Sequence, residues 1–106
     1  MADLKKISED NFEETIKKGI VLVDFYADWC GPCRMIAPHL EALSKEFEGQ
    51  ASIVKLDVDH AQRIASTYDV SSIPTLILFR EGKEVGRIVG ARDAKALKEF
   101  ILSAKK

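Results

Sequence analysis

Ile20-Val21-Leu22-Val23-Asp24-Phe25-Tyr26 is the segment from which the rest of the chain can be placed. Its β-branched and aromatic run shows almost no apolar–polar alternation. That pattern predicts a strand buried on both faces, as central parallel strands are. Asp24 alone breaks the run. Next in the chain comes Asp28-Trp29-Cys30-Gly31-Pro32-Cys33-Arg34, followed by Ile36, Leu40, Leu43 and Phe47 at helical spacing. A helix therefore begins around Cys30 to Pro32 and closes near Gly49. Pro32 suits the first turn, where its missing N–H costs nothing. Pro38 lies inside the same helix and predicts a kink, since it cannot donate to the carbonyl of Arg34.

Working outward, Leu4 to Ile7 reads as a short edge strand. Ser8, Asp10 and Asn11 offer caps to a helix that carries Phe12 and Ile16 and stops near Gly19. Ser52 to Val58 is the next strand. Ala61, Ile64, Ala65 and Tyr68 then recur at i, i+3, i+4, i+7. Thr75 to Phe79 and Glu84 to Val89 flank the hairpin signal Arg80-Glu81-Gly82-Lys83. Leu97, Phe100, Ile101 and Ala104 mark a last helix. The order βαβαβαββα predicts an α/β fold with right-handed crossovers, a mixed sheet and helices on both faces.

With 106 residues the expectation is one domain over 1–106. A composition that is 46% hydrophobic and 31% charged is that of a globular chain, not a disordered one. The net charge of −1 argues against nucleic acid as a ligand, because that binding needs clustered Lys and Arg. No apolar run is long enough for a membrane span. The charged start, Met1 to Asp10, lacks the apolar stretch of a signal peptide. The expected location is the cytoplasm, or an organelle if a transit peptide preceded this sequence.

The only two cysteines are Cys30 and Cys33. With Cys30 at the N-cap and Cys33 one turn in, their side chains share a helix face and can reach disulfide distance after a small adjustment. Free N–H groups at a helix start favour negative charge by about 1 kcal/mol, so they promote the reactive thiolate, at Cys30 more than at Cys33. A zinc half-site would need two more ligands, and His39 and His60 lack a matching spacing. A static staple closing so short a loop would constrain the unfolded chain little. Both histidines and the Lys105-Lys106 tail otherwise read as solvated surface.

Trp29-Cys30-Gly31-Pro32-Cys33 resembles the active-site motif of the thioredoxin family. Asp24-Phe25-Tyr26-Ala27-Asp28, Ile73-Pro74-Thr75 and Val89-Gly90-Ala91 resemble its other signature segments, in order along essentially the whole chain. Tyr26 stands where many members carry Trp, and Arg34 where Lys is frequent. Both keep the chemical character. The resemblance implies the thioredoxin fold, with a five-stranded mixed sheet flanked by four helices. It implies a monomeric disulfide reductase with no bound cofactor and no metal. Its partners would be disulfide-containing client proteins and a thioredoxin reductase, either an NADPH-dependent flavoprotein or a ferredoxin-linked enzyme. The competing class is a binding module that uses the same fold without redox turnover.

The resemblance also implies roles. Cys30 is the attacking thiolate and Cys33 the resolving thiol, with Gly31-Pro32 between them as in reducing members. Asp24 has two readings from the residues alone: a buried proton acceptor for Cys33, with its pKa raised by burial, or a strand-end acid facing solvent. The resemblance favours the first. Lys55 would sit beside Asp24 and tune it, the other reading being a surface lysine with a buried stem. Pro74 would follow a cis bond after Ile73. Trp29, Ile73, Pro74, Gly90 and Ala91 would form an apolar rim for clients.

Overall fold

A computed structural model describes residues 4–105. Met1 to Asp3 and Lys106, which belong to the expected 1–106 domain and surface tail, lie outside the described residues. The elements run β1 (Lys5–Ile7), α1 (Phe12–Ile16), β2 (Ile20–Tyr26), α2 (Gly31–Glu46), β3 (Ser52–Asp57), α3 (Gln62–Thr67), β4 (Thr75–Arg80), β5 (Lys83–Val89) and α4 (Ala94–Ser103). Short 3-10 turns precede α1 (Glu9–Asn11) and α3 (Val58–His60). The five strands lie in the order β1-β3-β2-β4-β5. β3 pairs in parallel with both β1 and β2, whereas β4 runs antiparallel to β2 and β5 antiparallel to β4. The expected mixed sheet with four helices is what forms.

β2 lies at the centre, and its side chains alternate between two cores. Leu22 joins Leu76 and Leu78 of β4 under Ile36, Leu40 and Leu43 of α2 and Leu97 and Ile101 of α4. Val21, Val23 and Phe25 join Ile77 and Phe79 under Phe12, Ile16 and Ile64. Phe12 anchors this second core, packing edge-on against Phe79 with ring centroids 5.8 Å apart and against Tyr68 at 5.4 Å. Truncating fully buried Leu22 to Ala would cost about 2–5 kcal/mol. Both faces being covered is the reason β2 carries no polar alternation.

The boundaries depart from expectation where side chains intervene. Val58 leaves β3 because Asp57 Oδ1 accepts the Asp59 N–H at 2.9 Å and starts the 3-10 turn. Ala61 and Tyr68 flank α3 as caps and do not extend it. A 3-10 turn precedes α1, with Asn11 Oδ1 accepting the Ser8 N–H at 2.9 Å. The hairpin tightens to Glu81-Gly82, with φ of 50° and 85°, the two-positive-φ geometry that matches strand twist. Glu81 is not glycine, and two hydrogen bonds to Gly19 hold it there: its N–H donates to Gly19 O at 2.9 Å, and its Oε2 accepts the Gly19 N–H at 2.5 Å. α2 runs on through Pro38 to Glu46.

Candidate active site

The C-terminal end of β2 and the first turn of α2 build the centre of the site. Cys30 is the N-cap of α2, in extended conformation with φ −85° and ψ 111°. Its N–H donates to Ala27 O at 3.1 Å, and Cys30 O accepts the Arg34 N–H at 3.2 Å. Gly31 and Pro32 are the first helical residues, so the imino nitrogen falls where no intrahelical partner exists. Cys30 and Cys33 are joined by a disulfide with their Cα atoms 5.3 Å apart. The Cys33 N–H donates to Cys30 Sγ at 3.2 Å. That amide, at the start of a 16-residue helix, stabilises negative charge on the Cys30 sulfur once the bridge opens. Both cysteines are buried, against Tyr26 and Ala27, with Ile73 and Val58 packed alongside.

Asp24 shares the alternation of Leu22 and so points to the α2 side of the sheet. It is only 3% exposed, and its Oδ1 has no hydrogen-bond partner. Burial pushes its pKa from 3.8 up to about 7, against the opposing pull of the Lys55 ammonium. The solvent-facing reading of Asp24 is therefore not the observed one. Lys55 is its register partner on β3, half-buried, with Nζ 5.3 Å from the Tyr26 ring centroid. That cation–π contact holds the ammonium over β2. Lys55→Gln removes the charge that pulls the Asp24 pKa down, so the Asp24 midpoint moves above about 7. Carboxyl carbon-13 shifts followed through pH titration measure this, and an unmoved midpoint would rule the tuning out.

Asp24, Tyr26, Cys33, Arg34, Glu41 and Lys55 line one cavity of about 160 Å³. Small Ala27 and Ala37 on its walls leave that space open. The buried acid and the inner cysteine thus face a common volume. Glu41 Oε1 also lies shielded from solvent without a hydrogen-bond partner.

The rim residues fall into two neighbouring sets. Trp29 is 67% exposed, and its indole N–H donates to Asp59 Oδ2 at 2.9 Å. It lines a shallow groove with Ile73, Val58, Val70 and Ser72. The Ile73–Pro74 bond is cis. Pro74 O accepts the Gly90 N–H at 2.8 Å, which ties the proline loop to the end of β5. Gly90 has φ +97°, a conformation that side chains rarely adopt, and exposed Ala91 follows it.

Three carboxylates near the site escaped the sequence reading. Glu41 falls outside the apolar stripe of Ile36, Leu40, Leu43 and Phe47 on α2, and Asp59 lies in the short turn after β3, so neither carries a local signal. Asp57 is buried at the end of β3, where its Oδ2 meets His60 Nδ1 at 3.1 Å. His60 accordingly has a partner, although it remains on the surface. Among the described residues, no cluster of His, Cys, Asp or Glu is arranged to hold a metal ion, and no helix is long and apolar enough to cross a membrane.

Comparison with known proteins agrees across the chain. Residues 3–103 match the family profile described as Thioredoxin. A thioredoxin of Chlamydia muridarum is 54% identical over 95 residues, which cover 90% of this chain and 92% of that one. A thioredoxin of Staphylococcus haemolyticus is 48% identical over 96 residues, covering 91% and 92%. Among solved structures, a mutant thioredoxin from Halobacterium salinarum superposes with a TM-score of 0.89 at 40% identity, covering 98% of this chain and 92% of that one.

Proposed function

The chain belongs to the thioredoxin family, and from that premise we propose how its residues divide the work of a thiol–disulfide oxidoreductase. The Cys30 thiolate attacks one sulfur of a client disulfide. That bond breaks, one client sulfur leaves as thiolate and takes a proton from water, and Cys30 is left in a mixed disulfide. Cys33 gives its thiol proton to Asp24 and attacks Cys30 Sγ. The second client thiolate leaves, and the Cys30–Cys33 bridge is formed. A thioredoxin reductase then returns two electrons.

One observation supports this order above the others: the helix-start amide of Cys33 donates to Cys30 Sγ and not the reverse. Asp24 suits proton acceptance because burial lifts its pKa to about 7, near working pH, where acid–base groups are most effective. Lys55 tempers that rise from the neighbouring strand, and Gly31-Pro32 keep the two sulfurs one turn apart. Trp29, Ile73, Pro74, Gly90 and Ala91 form the rim on which an extended client segment lies.

The partners are disulfide-bearing proteins and a thioredoxin reductase. We assign the reductase to the NADPH-dependent flavoprotein class, with a ferredoxin-linked enzyme as the alternative. The protein works as one monomeric domain over 1–106, in the cytoplasm, without bound cofactor or metal. Insulin disulfide reduction, driven by NADPH with the flavoprotein class and by reduced ferredoxin with the ferredoxin-linked class, tests this reading. No turnover with dithiothreitol or either reductase would leave a pure binding module.

Cys33→Ser separates the two cysteines. In that variant the mixed disulfide forms and cannot resolve, so a covalent adduct with the mass of protein plus client accumulates until dithiothreitol is added. Parent-like turnover without added thiol would remove Cys33 from the resolving role.

A further inference from the structure

We propose that Glu41 is the outer station of a proton path that begins at Cys33 and runs through Asp24, passing protons between that buried carboxyl and bulk water. The inference rests on the reading of Asp24 as proton acceptor and extends it to a residue which that reading leaves unused. Each turnover leaves a proton on Asp24, which is only 3% exposed. The cavity that Asp24 shares with Cys33 offers the way out. Asp24 reaches it from β2 and Glu41 from the third turn of α2. Each carboxylate has one oxygen shielded from solvent and without a hydrogen-bond partner.

Unpaired shielded oxygens are costly, and two on one cavity suggest a polar space used by water. The volume of about 160 Å³ compares with about 30 Å³ per water in the liquid, so a short bridging chain fits. Glu41 is half-buried, so it touches both the cavity and the surface.

The other groups facing this space are poor carriers. Lys55 from β3 and Arg34 from α2 offer no carboxylate. Burial raises the phenol pKa of Tyr26 above its ordinary value of 10.0. Asp28, in the loop before α2, is solvent-exposed and presents no shielded, unpaired oxygen to the cavity. Glu41 is the carboxylate left. It acts through Asp24 and not on the sulfurs.

When dithiothreitol reduces the protein, its thiolate attacks Cys30 Sγ and the Cys33 thiolate leaves. Cys33 takes the Asp24 proton, and Asp24 is reprotonated from water through Glu41. When a client is reduced, the same proton travels outward. Electrons stay within the sulfur exchange in both directions.

The test is the stopped-flow rate of dithiothreitol reduction of the oxidised full-length protein, as a function of pH and of added formate. Glu41→Gln slows it roughly tenfold at low buffer, less than the about hundredfold expected for an acid–base group touching the reacting atoms. Formate restores the rate, Glu41→Asp keeps most of it, and the pH profile regains its parental shape with formate present. Asp28→Asn leaves the rate unchanged. A merely structural role for Glu41 would show no formate rescue. The proposal is overturned if Glu41→Gln matches the parent, if its loss is not rescued, or if Asp28→Asn loses as much. Asp24→Asn in parallel tells the two readings apart. If it is slow while Glu41→Gln is not, only the path through Glu41 falls; if it is as fast as the parent, the Asp24 role falls and takes the path with it.

Discussion

Cys30→Ser folds as the parent does and reduces no disulfide above the uncatalysed background. The two halves of that result have separate causes. Serine is among the best N-cap residues, and its hydroxyl can accept the Cys33 N–H that Cys30 Sγ accepts at 3.2 Å. The start of α2, and the packing of Ile36, Leu40 and Leu43 beneath it, are therefore retained. The chemistry is not. A hydroxyl stays protonated at neutral pH and forms no mixed disulfide, whereas a thiol at this position is drawn toward its thiolate. Cys33 cannot substitute, because the helix-start amide is its own and points at its neighbour. Insulin reduction and far-UV circular dichroism on the same sample measure both halves. Residual turnover above background in a folded Cys30→Ser protein would show that the attacking sulfur has been misassigned.

Asp24→Asn trades activity for stability, and the trade depends on pH. An ordinary surface carboxylate stabilises as it ionises, but Asp24 has its folded pKa raised, so the sign reverses. Below about pH 3.8 both states hold the proton and the group costs nothing. Between there and about pH 7 the unfolded chain releases its proton first, and the folded state loses stability as pH rises. The rise from 3.8 to about 7, at about 1.36 kcal/mol per unit, amounts to a cost on the order of 4 kcal/mol once both states are ionised. Asparagine never ionises, so the variant is more stable than the parent by that order near pH 8, and the gap closes toward pH 4. Urea unfolding across that range measures it, and a gap independent of pH would contradict the burial argument. With Asp24 in the proposed role of proton acceptor for Cys33, disulfide exchange slows in the same variant. A chain that keeps so costly an acid trades stability for function.

How far the sequence could be read depended on whether a residue's role is local. β2 was legible because burial on both faces leaves a simple apolar run. Asp24 stood out because it breaks that run, and Cys30 with Pro32 because a helix start constrains both. The hairpin was legible in place but not in length, since the two bonds from Glu81 to Gly19 span 62 positions and have no local signature. Asp57 and Glu41 were missed for the same reason. One reads as a strand-end acid and the other as a polar position on an amphipathic helix, and only tertiary packing buries their oxygens. The cis bond at Pro74 and the pairing of Lys55 with Asp24 were expected from resemblance alone, because strand order is not written in either segment.

The two borders of the sheet bear on how this molecule behaves in a crowd. β1 is only three residues long, with Lys5 and Lys6 exposed along it. β5 carries Lys83, Glu84 and Arg87, and its pairing with β4 is interrupted by a bulge between Leu78 and Phe79. Short, charged or irregular borders are poor templates for a second copy to extend the sheet into a fibre. The molecule can therefore keep a sticky apolar tip, with Trp29 standing out into solvent, at high concentration without polymerising through its own strands.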